Sequence, residues 1–273
     1  LALSRARGDR VGVARALGRR GVVLLNTAQL AEAEVALQES ADLSAALGLP
    51  GLQRHAWFNL CVLYSAQSRP EAVLRSAVAC WDIAPPMSLS PMRGMVQVAF
   101  VEAHGALGDL GAARTWLLRA ADEATAIEMP ELCASVVLTG AELLELVGDG
   151  ERLAPLRAML ETSAAAEAGY AREMWLVLAE CDLNAGLADS ARHHHRRAGA
   201  AVDAGNDRIA VRGRIVEAAL HLAVGNPQDA LQHLPDDGAA GLNDELRWRA
   251  LAVRLRAEAA LGGCTPEALA AAD

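Results

Sequence analysis

The chain has 273 residues, with 25 basic against 34 acidic side chains and a formal net charge of −9, a balance that argues against direct nucleic-acid binding by this segment, because gripping a phosphate backbone relies on Lys and Arg displacing condensed counterions. All 25 basic residues are Arg, and without lysine a Walker-type phosphate loop and a Schiff-base mechanism are both excluded. The hydrophobic share is 53% with only 3% aromatic, so the core has to be filled by Ala, Leu and Val, a mixture that favours close-packed helices.

A helix tail over residues 1–6 and a turn at 7–10 lead into a first helix over 11–26 and a second over 30–47. The run Gly48-Leu49-Pro50-Gly51 is expected to end that pair, with comparable breaks at 84–87, 128–130, 167–170 and 204–207. Within the pairs the helices are joined by short turns at 26–29, 66–69, 108–109, 148–150, 186 and 225–226. Such short connections force antiparallel neighbours. An alanine recurs a few residues into the helix that follows each turn, at Ala33, Ala72, Ala113, Ala191 and Ala230, with a degenerate copy over 153–160 between the third and fourth. The spacings are 39, 41, 78 and 39, a period near 40 that marks a helical-repeat array. The whole of 1–273 reads as one continuous array. The chain opens on Leu1 and stops inside a further helical pattern at 265–273, as a piece of a longer protein would.

Trp57, Leu60 and Tyr64, followed by Ala72, Ser76 and Ala79, carry a family pattern. They resemble the tetratricopeptide repeat, whose first helix places Trp, Leu and Tyr in this order and whose second helix carries small residues. Trp175 with Ala179, Ala191 and Ala198 repeats part of it, and Trp248 opens a further copy. In the first copy Leu17, Gly21 and Leu24 hold the equivalent places, whereas Phe100 and Val101 depart from the pattern. The resemblance implies an all-α, right-handed solenoid of about six to seven antiparallel helix pairs, with the large residues filling each pair and the small ones admitting the next helix. The long period and the Gly108-Asp109 and Gly148-Asp149 junctions are similar to the helical sensor regions of bacterial transcription regulators of the maltose-activator type and of signal-transducing ATPases. That likeness implies a cytoplasmic, non-catalytic binding module in signal transduction, with a protein, a peptide or a cationic small effector as partner. Self-association and a passive scaffold without an effector are the alternatives, and a helical enzyme ranks third.

The resemblance places the first helices on a concave face. Glu102, Glu142 and Glu180, spaced 40 and 38 apart, would then form an acidic ladder, joined by Glu145 and Glu173 and suited to a cation. Arg19, Asn26, Phe58 and Asn59 would line the other end of the groove. The family's clamp for a carboxylate terminus uses Lys and Asn, and Val22 and Val62 stand where Asn is expected, so that ligand does not carry over.

Arg192, His193, His194, Arg196 and Arg197 form a basic patch, with His193 and His194 expected in solvent and His195 between helices. Neighbours on a helix diverge by about 100°, so the His193-His194-His195 run is not read as a metal site. His55, His104, His221 and His233 lie alone in helical stretches. Cys61, Cys80, Cys133, Cys181 and Cys264 are odd in number and widely spaced, the pattern of buried reduced thiols. Neither a catalytic group nor a cofactor or metal site is expected, and no run approaches the roughly 18 apolar residues of a membrane helix.

Overall fold

The computed structural model describes residues 2–83, 86–146, 154–166, 171–200, 207–236, 238–239 and 244–262, and among them every regular element is an α-helix. Two compact units divide the chain, Leu1–Leu132 and Cys133–Asp273. The first holds α1 (Ala2–Ala6), α2 (Arg10–Asn26), α3 (Leu30–Ala46), α4 (Pro50–Ala66), α5 (Pro70–Trp81), α6 (Pro91–Ala106) and α7 (Leu110–Ile127). The division falls within α8 (Pro130–Leu146), and the second unit continues with α9 (Ala154–Ala166), α10 (Ala171–Asn184), α11 (Ala188–Ala200), α12 (Asp207–Ala223), α13 (Pro227–His233) and α14 (Asp244–Ala260).

One turn recurs along the first unit. Gly8, Ala28, Gly48, Ser68, Gly108 and Glu128 all have positive φ, between 52° and 80°, and each lies two residues before a helix. Helix plus turn therefore occupies 20 residues and a pair 40. The residue after Gly8, Ala28, Gly48, Ser68 and Gly108 returns its N–H to a carbonyl five back: Asp9 to Ser4 at 2.9 Å, Gln29 to Leu24 at 2.9 Å, Leu49 to Ser44 at 2.9 Å, Arg69 to Tyr64 at 3.0 Å and Asp109 to His104 at 2.9 Å. This closure satisfies helix-end carbonyls that would otherwise lack partners. At Asp109 the same turn starts the next helix, because its carboxylate accepts the Ala112 N–H at 3.0 Å. The turn around Gly48 corrects the expected break: Leu47 to Leu49 make the connection, and Pro50 already opens α4, where its missing N–H costs nothing.

Consecutive helices from α2 to α7 pack against one another, and α4 also touches α2 and α6. Leu17, Gly21 and Leu24 face the α3 side as the repeat pattern requires, and all three are buried. A Cβ at Gly21 would lie 2.5 Å from Leu37 Cγ, so α2 and α3 approach across a glycine that alanine could not replace without displacement. Ala33, Ala72 and Ala113 are buried at the equivalent contacts. Fully buried Leu37, Leu60, Leu63 and Leu117 supply the volume, each contributing about 1.5–3 kcal/mol. Phe100 is accommodated because Trp116 stacks on it at 4.2 Å, with Trp81 edge-on to Trp116 at 5.2 Å.

The longer connection between α5 and α6 is tied down by side chains. Arg54 donates to the Ile83 carbonyl at 2.6 Å. The buried carboxylate of Glu123 accepts the Ser90 N–H at 3.1 Å and pairs with Arg93 at 3.3 Å.

In the second unit α10 packs on α9, α11 and α12, while α12 packs on α11, α13 and α14. Gly186 and Gly225 (φ 71° and 81°) make the same closure, with Leu187 N–H on Asp182 O at 2.7 Å and Asn226 N–H on His221 O at 2.9 Å. Ala191 and Ala230 are buried. Trp248 corrects the repeat alignment. It is 66% exposed rather than packed inside a pair, because the buried face of α14 runs through Leu246, Ala250, Val253 and Ala257, and Trp248, two residues and so about 200° on from Leu246, falls on the opposite side of the helix. No helix among the described residues is long and apolar enough to cross a membrane.

Candidate functional site on the first helices

The even-numbered helices α2, α4 and α6 in one unit, and α10, α12 and α14 in the other, are the first members of their pairs and carry most of the candidate residues. In the first unit Arg19 and Asn26 are exposed on α2. Phe58 is half-buried, its ring packed against the core. The Asn59 side chain, also half-buried, donates to the His55 carbonyl of its own helix at 2.7 Å. Glu102 is exposed on α6 and accepts the Ser65 hydroxyl of α4 at 2.9 Å, a bridge between two successive first helices. Val62 is 41% exposed, which leaves an apolar surface where a carboxylate clamp would need an amide.

Glu142 and Glu145 belong to α8, but their side chains lie outside the described residues. Glu180 does not present a free carboxylate. It is buried, with Arg212 of α12 donating from Nε to Oε1 at 2.9 Å and from Nη2 to Oε2 at 2.6 Å. Arg249 of α14 adds a third bond to Oε2 at 2.9 Å. Glu173 is half-exposed and stands 3.9 Å from the Arg212 guanidinium. The two carboxylates and two guanidiniums balance, so this part of the expected ladder is electrically neutral. The cause is burial: α10 is enclosed without interruption from Met174 to Asp182, and a charge in such a helix has to be matched. Burial opposes ionisation of Glu180, but the two guanidiniums outweigh it and hold its pKa below the ordinary 4.5.

Asp182, two residues on and so about 200° around the helix, faces the second helices. It is fully buried and accepts from Arg157 of α9 and from His194 of α11, the latter at 2.8 Å. Burial again pushes its pKa up, and the hydrogen bonds of His194, Ser190 and Arg157 prevail to hold it below 3.8. His194 therefore corrects the basic patch: it is buried, bonded to Asp182 and stacked on Trp175 at 5.5 Å. Ala191, His194 and Ala198 share the inward face of α11, leaving His193 exposed and His195 half-buried with Nε2 3.3 Å from the Gly213 carbonyl. Arg192 pairs with Asp189 at 2.7 Å, Arg197 lies 4.5 Å over the Trp175 ring, and Arg196 is exposed. The patch that remains on the surface is Arg192, His193, Arg196 and Arg197.

A nucleophile is hard to find among these groups. Cys61, Cys80, Cys133 and Cys181 are buried free thiols; desolvation pushes Cys80 and Cys181 up to about 12 and raises Cys61 as well. Cys61, Cys80 and Cys181 therefore stay protonated near neutrality, and the thiol is not the reactive form. The Asp182–His194 pair has the orientation of a carboxylate holding an imidazole, but the imidazole is covered by Trp175. A cross-helix pair sequence reasoning missed is Glu217 with His233, which meet at 3.8 Å between α12 and α13. No protein-family model matches the chain, and no curated protein matches it.

Proposed function

We propose that the chain is a non-catalytic, tetratricopeptide-like binding module that takes a protein segment or small effector on the face formed by its first helices. We further propose that it serves as the regulatory region of a bacterial transcription regulator of the kind its repeats resemble. The observation that carries the binding face is an asymmetry within each unit. First helices touch across pairs, α2 to α4 to α6 and α10 to α12 to α14, whereas α3 with α5, α5 with α7 and α11 with α13 are at most in marginal contact. A stack held closer on one side curves toward that side, and in repeat proteins the concave side is the binding surface. Phe58 and Asn59 belong to α4 and Glu102 to α6, first helices of the first unit, and the Glu180–Arg212–Arg249 bridge spans three first helices in the second. A ligand that favours one curvature would shift the equilibrium by its difference in affinity between curvatures.

The test is affinity capture from the source cell with the parent chain and with an Arg19→Glu/Asn59→Asp/Glu102→Arg variant. Bound proteins and metabolites are identified, and amide exchange is mapped with and without the captured partner. Loss of one partner from a variant of unchanged helicity, with protection confined to the first helices, is the expected result. Protection on the second helices, or the same partner on both baits, would count against a first-helix site.

A further inference from the structure

Where α12 turns back into α13, three metal-capable side chains converge. One ligand atom each from Glu217, His221 and His233 lies within 4.8 Å of the others, and all three residues are half-buried. Among the described residues this is the one such group. The hairpin itself creates it. Glu217 and His233 stand eight residues before and after Gly225, and His221 and Asp229 four before and after, so an antiparallel pair closed at Gly225 sets each residue opposite its partner. Glu217 and His221 are also one helical turn apart on α12, on the same face.

The ligand atoms are oriented for coordination. A carbonyl can only accept, so the 2.8 Å contact of His233 Nδ1 with the Asp229 carbonyl puts the proton on Nδ1 and leaves the Nε2 lone pair toward Glu217. Such a bond from the second ring nitrogen is the usual support of a metal-bound histidine. The end of α13 is held as well: Arg214 donates to the His233 and Leu234 carbonyls at 3.3 and 2.8 Å. Glu217 Oε1 and His233 Nε2 are 3.8 Å apart, beyond a hydrogen bond yet close to the roughly 3.4 Å between donors on a tetrahedral ion with bonds of about 2.0–2.2 Å. The His221 and His233 rings stack at 4.6 Å with 23° between their planes, and Asp229 Oδ2 is 3.8 Å from His221 Nδ1.

We propose that Glu217, His221 and His233 bind a divalent transition ion of the zinc class, with Asp229 supporting His221. Two imidazoles and one carboxylate suit zinc and its neighbours and suit magnesium or calcium poorly, since these prefer all-oxygen shells. The ion clips the end of α12 to the end of α13 and keeps one coordination position for water.

The experiment is zinc titration of the untagged, chelator-treated full chain by calorimetry, with cobalt as a spectroscopic substitute. The expected result is one site per chain with a Kd of micromolar or tighter, a rise in thermal midpoint with zinc but not with magnesium, and cobalt absorption bands of low coordination number. Glu217→Gln, His221→Ala and His233→Ala should each weaken binding by at least about 100-fold, and Asp229→Asn by about 10-fold. His193→Ala, altering an exposed histidine of the basic patch, should leave it unchanged. Zinc affinity indifferent to the three ligand variants, or lost with His193→Ala, overturns the site. Helicity measured on each variant separates loss of ligand from loss of fold, and Glu217→Gln, which keeps the side-chain shape, decides the matter should a histidine variant unfold.

Discussion

Arg212 grips Glu180 with the Nε and Nη2 N–H groups of one guanidinium edge, at 2.9 and 2.6 Å, across the α10–α12 interface. This fork is bidentate and directional, and its energetic value depends on what is removed. Glu180→Gln leaves the buried guanidinium of Arg212 and the half-buried one of Arg249 facing a neutral amide and should destabilise by about 3–5 kcal/mol. Arg249→Met removes the third bond to Glu180 and leaves the fork, at about 1.5–3 kcal/mol. Urea denaturation followed by circular dichroism should rank them in that order; equal costs would mean that the Arg249 bond, and not the Arg212 fork, carries the pairing.

Acid should loosen the second unit through two groups. Glu180 and Asp182 both have native pKa values below their ordinary 4.5 and 3.8, so the unfolded chain binds protons more readily at these sites. Their contribution is complete above the unfolded values and is lost as pH falls through the lowered native ones. The thermal midpoint should hold steady from neutrality to about pH 5 and then fall. A Glu180→Gln/Asp182→Asn variant should begin lower and fall less steeply, and parallel curves would remove these two carboxylates from the explanation.

Overpacking tests the helix contacts. Ala72→Leu and Ala191→Leu insert bulk where the native side chains are 3% and 0% exposed and should each cost about 1–3 kcal/mol. Gly21→Ala belongs to the same class, since its new methyl meets Leu37 at 2.5 Å. Unchanged midpoints in all three would mean that the facing helices can separate freely.

Turn residues offer a gain. Ala28 and Ser68 hold φ of 58° and 52°, a region that costs an L-residue roughly 1–2 kcal/mol, partly offset in glycine by about 0.5–1 kcal/mol of chain entropy. Ala28→Gly and Ser68→Gly should raise the midpoint of chemical unfolding, and Gly108→Ala should lower it. The reverse order would show that these turns relax when substituted.

Much of the architecture is legible in the sequence because alanine spacing and glycine turns act locally. Ala33, Ala72, Ala113, Ala191 and Ala230 are all buried contacts, and the helix over 11–26 differs from α2 by one residue. Orientation around each helix is harder, since one step rotates a side chain by about 100°. That step put His194 in solvent on paper and beneath Trp175 in the fold, and Trp248 inside a pair rather than outside it. Glu180 illustrates a different difficulty: its neutralisation depends on Arg212 and Arg249, 32 and 69 residues away, which no local pattern couples. The meeting of Glu217 with His233 carried a usable signal, because counting equal distances outward from Gly225 pairs the residues of a tight hairpin.

The 20-residue spacing of the left-handed turns in the first unit also governs how that unit can change length. Insertion or removal of 40 residues restores both chain direction and helix phase, so the flanking pairs meet the same surfaces as before. A change of 20 restores the phase but reverses the direction, exchanging inner for outer helices in everything that follows. A single residue added within a helix turns the rest of it by about 100° and carries its alanine out of the interface. Lengthening by whole pairs is thus the mode of growth the first unit's geometry tolerates.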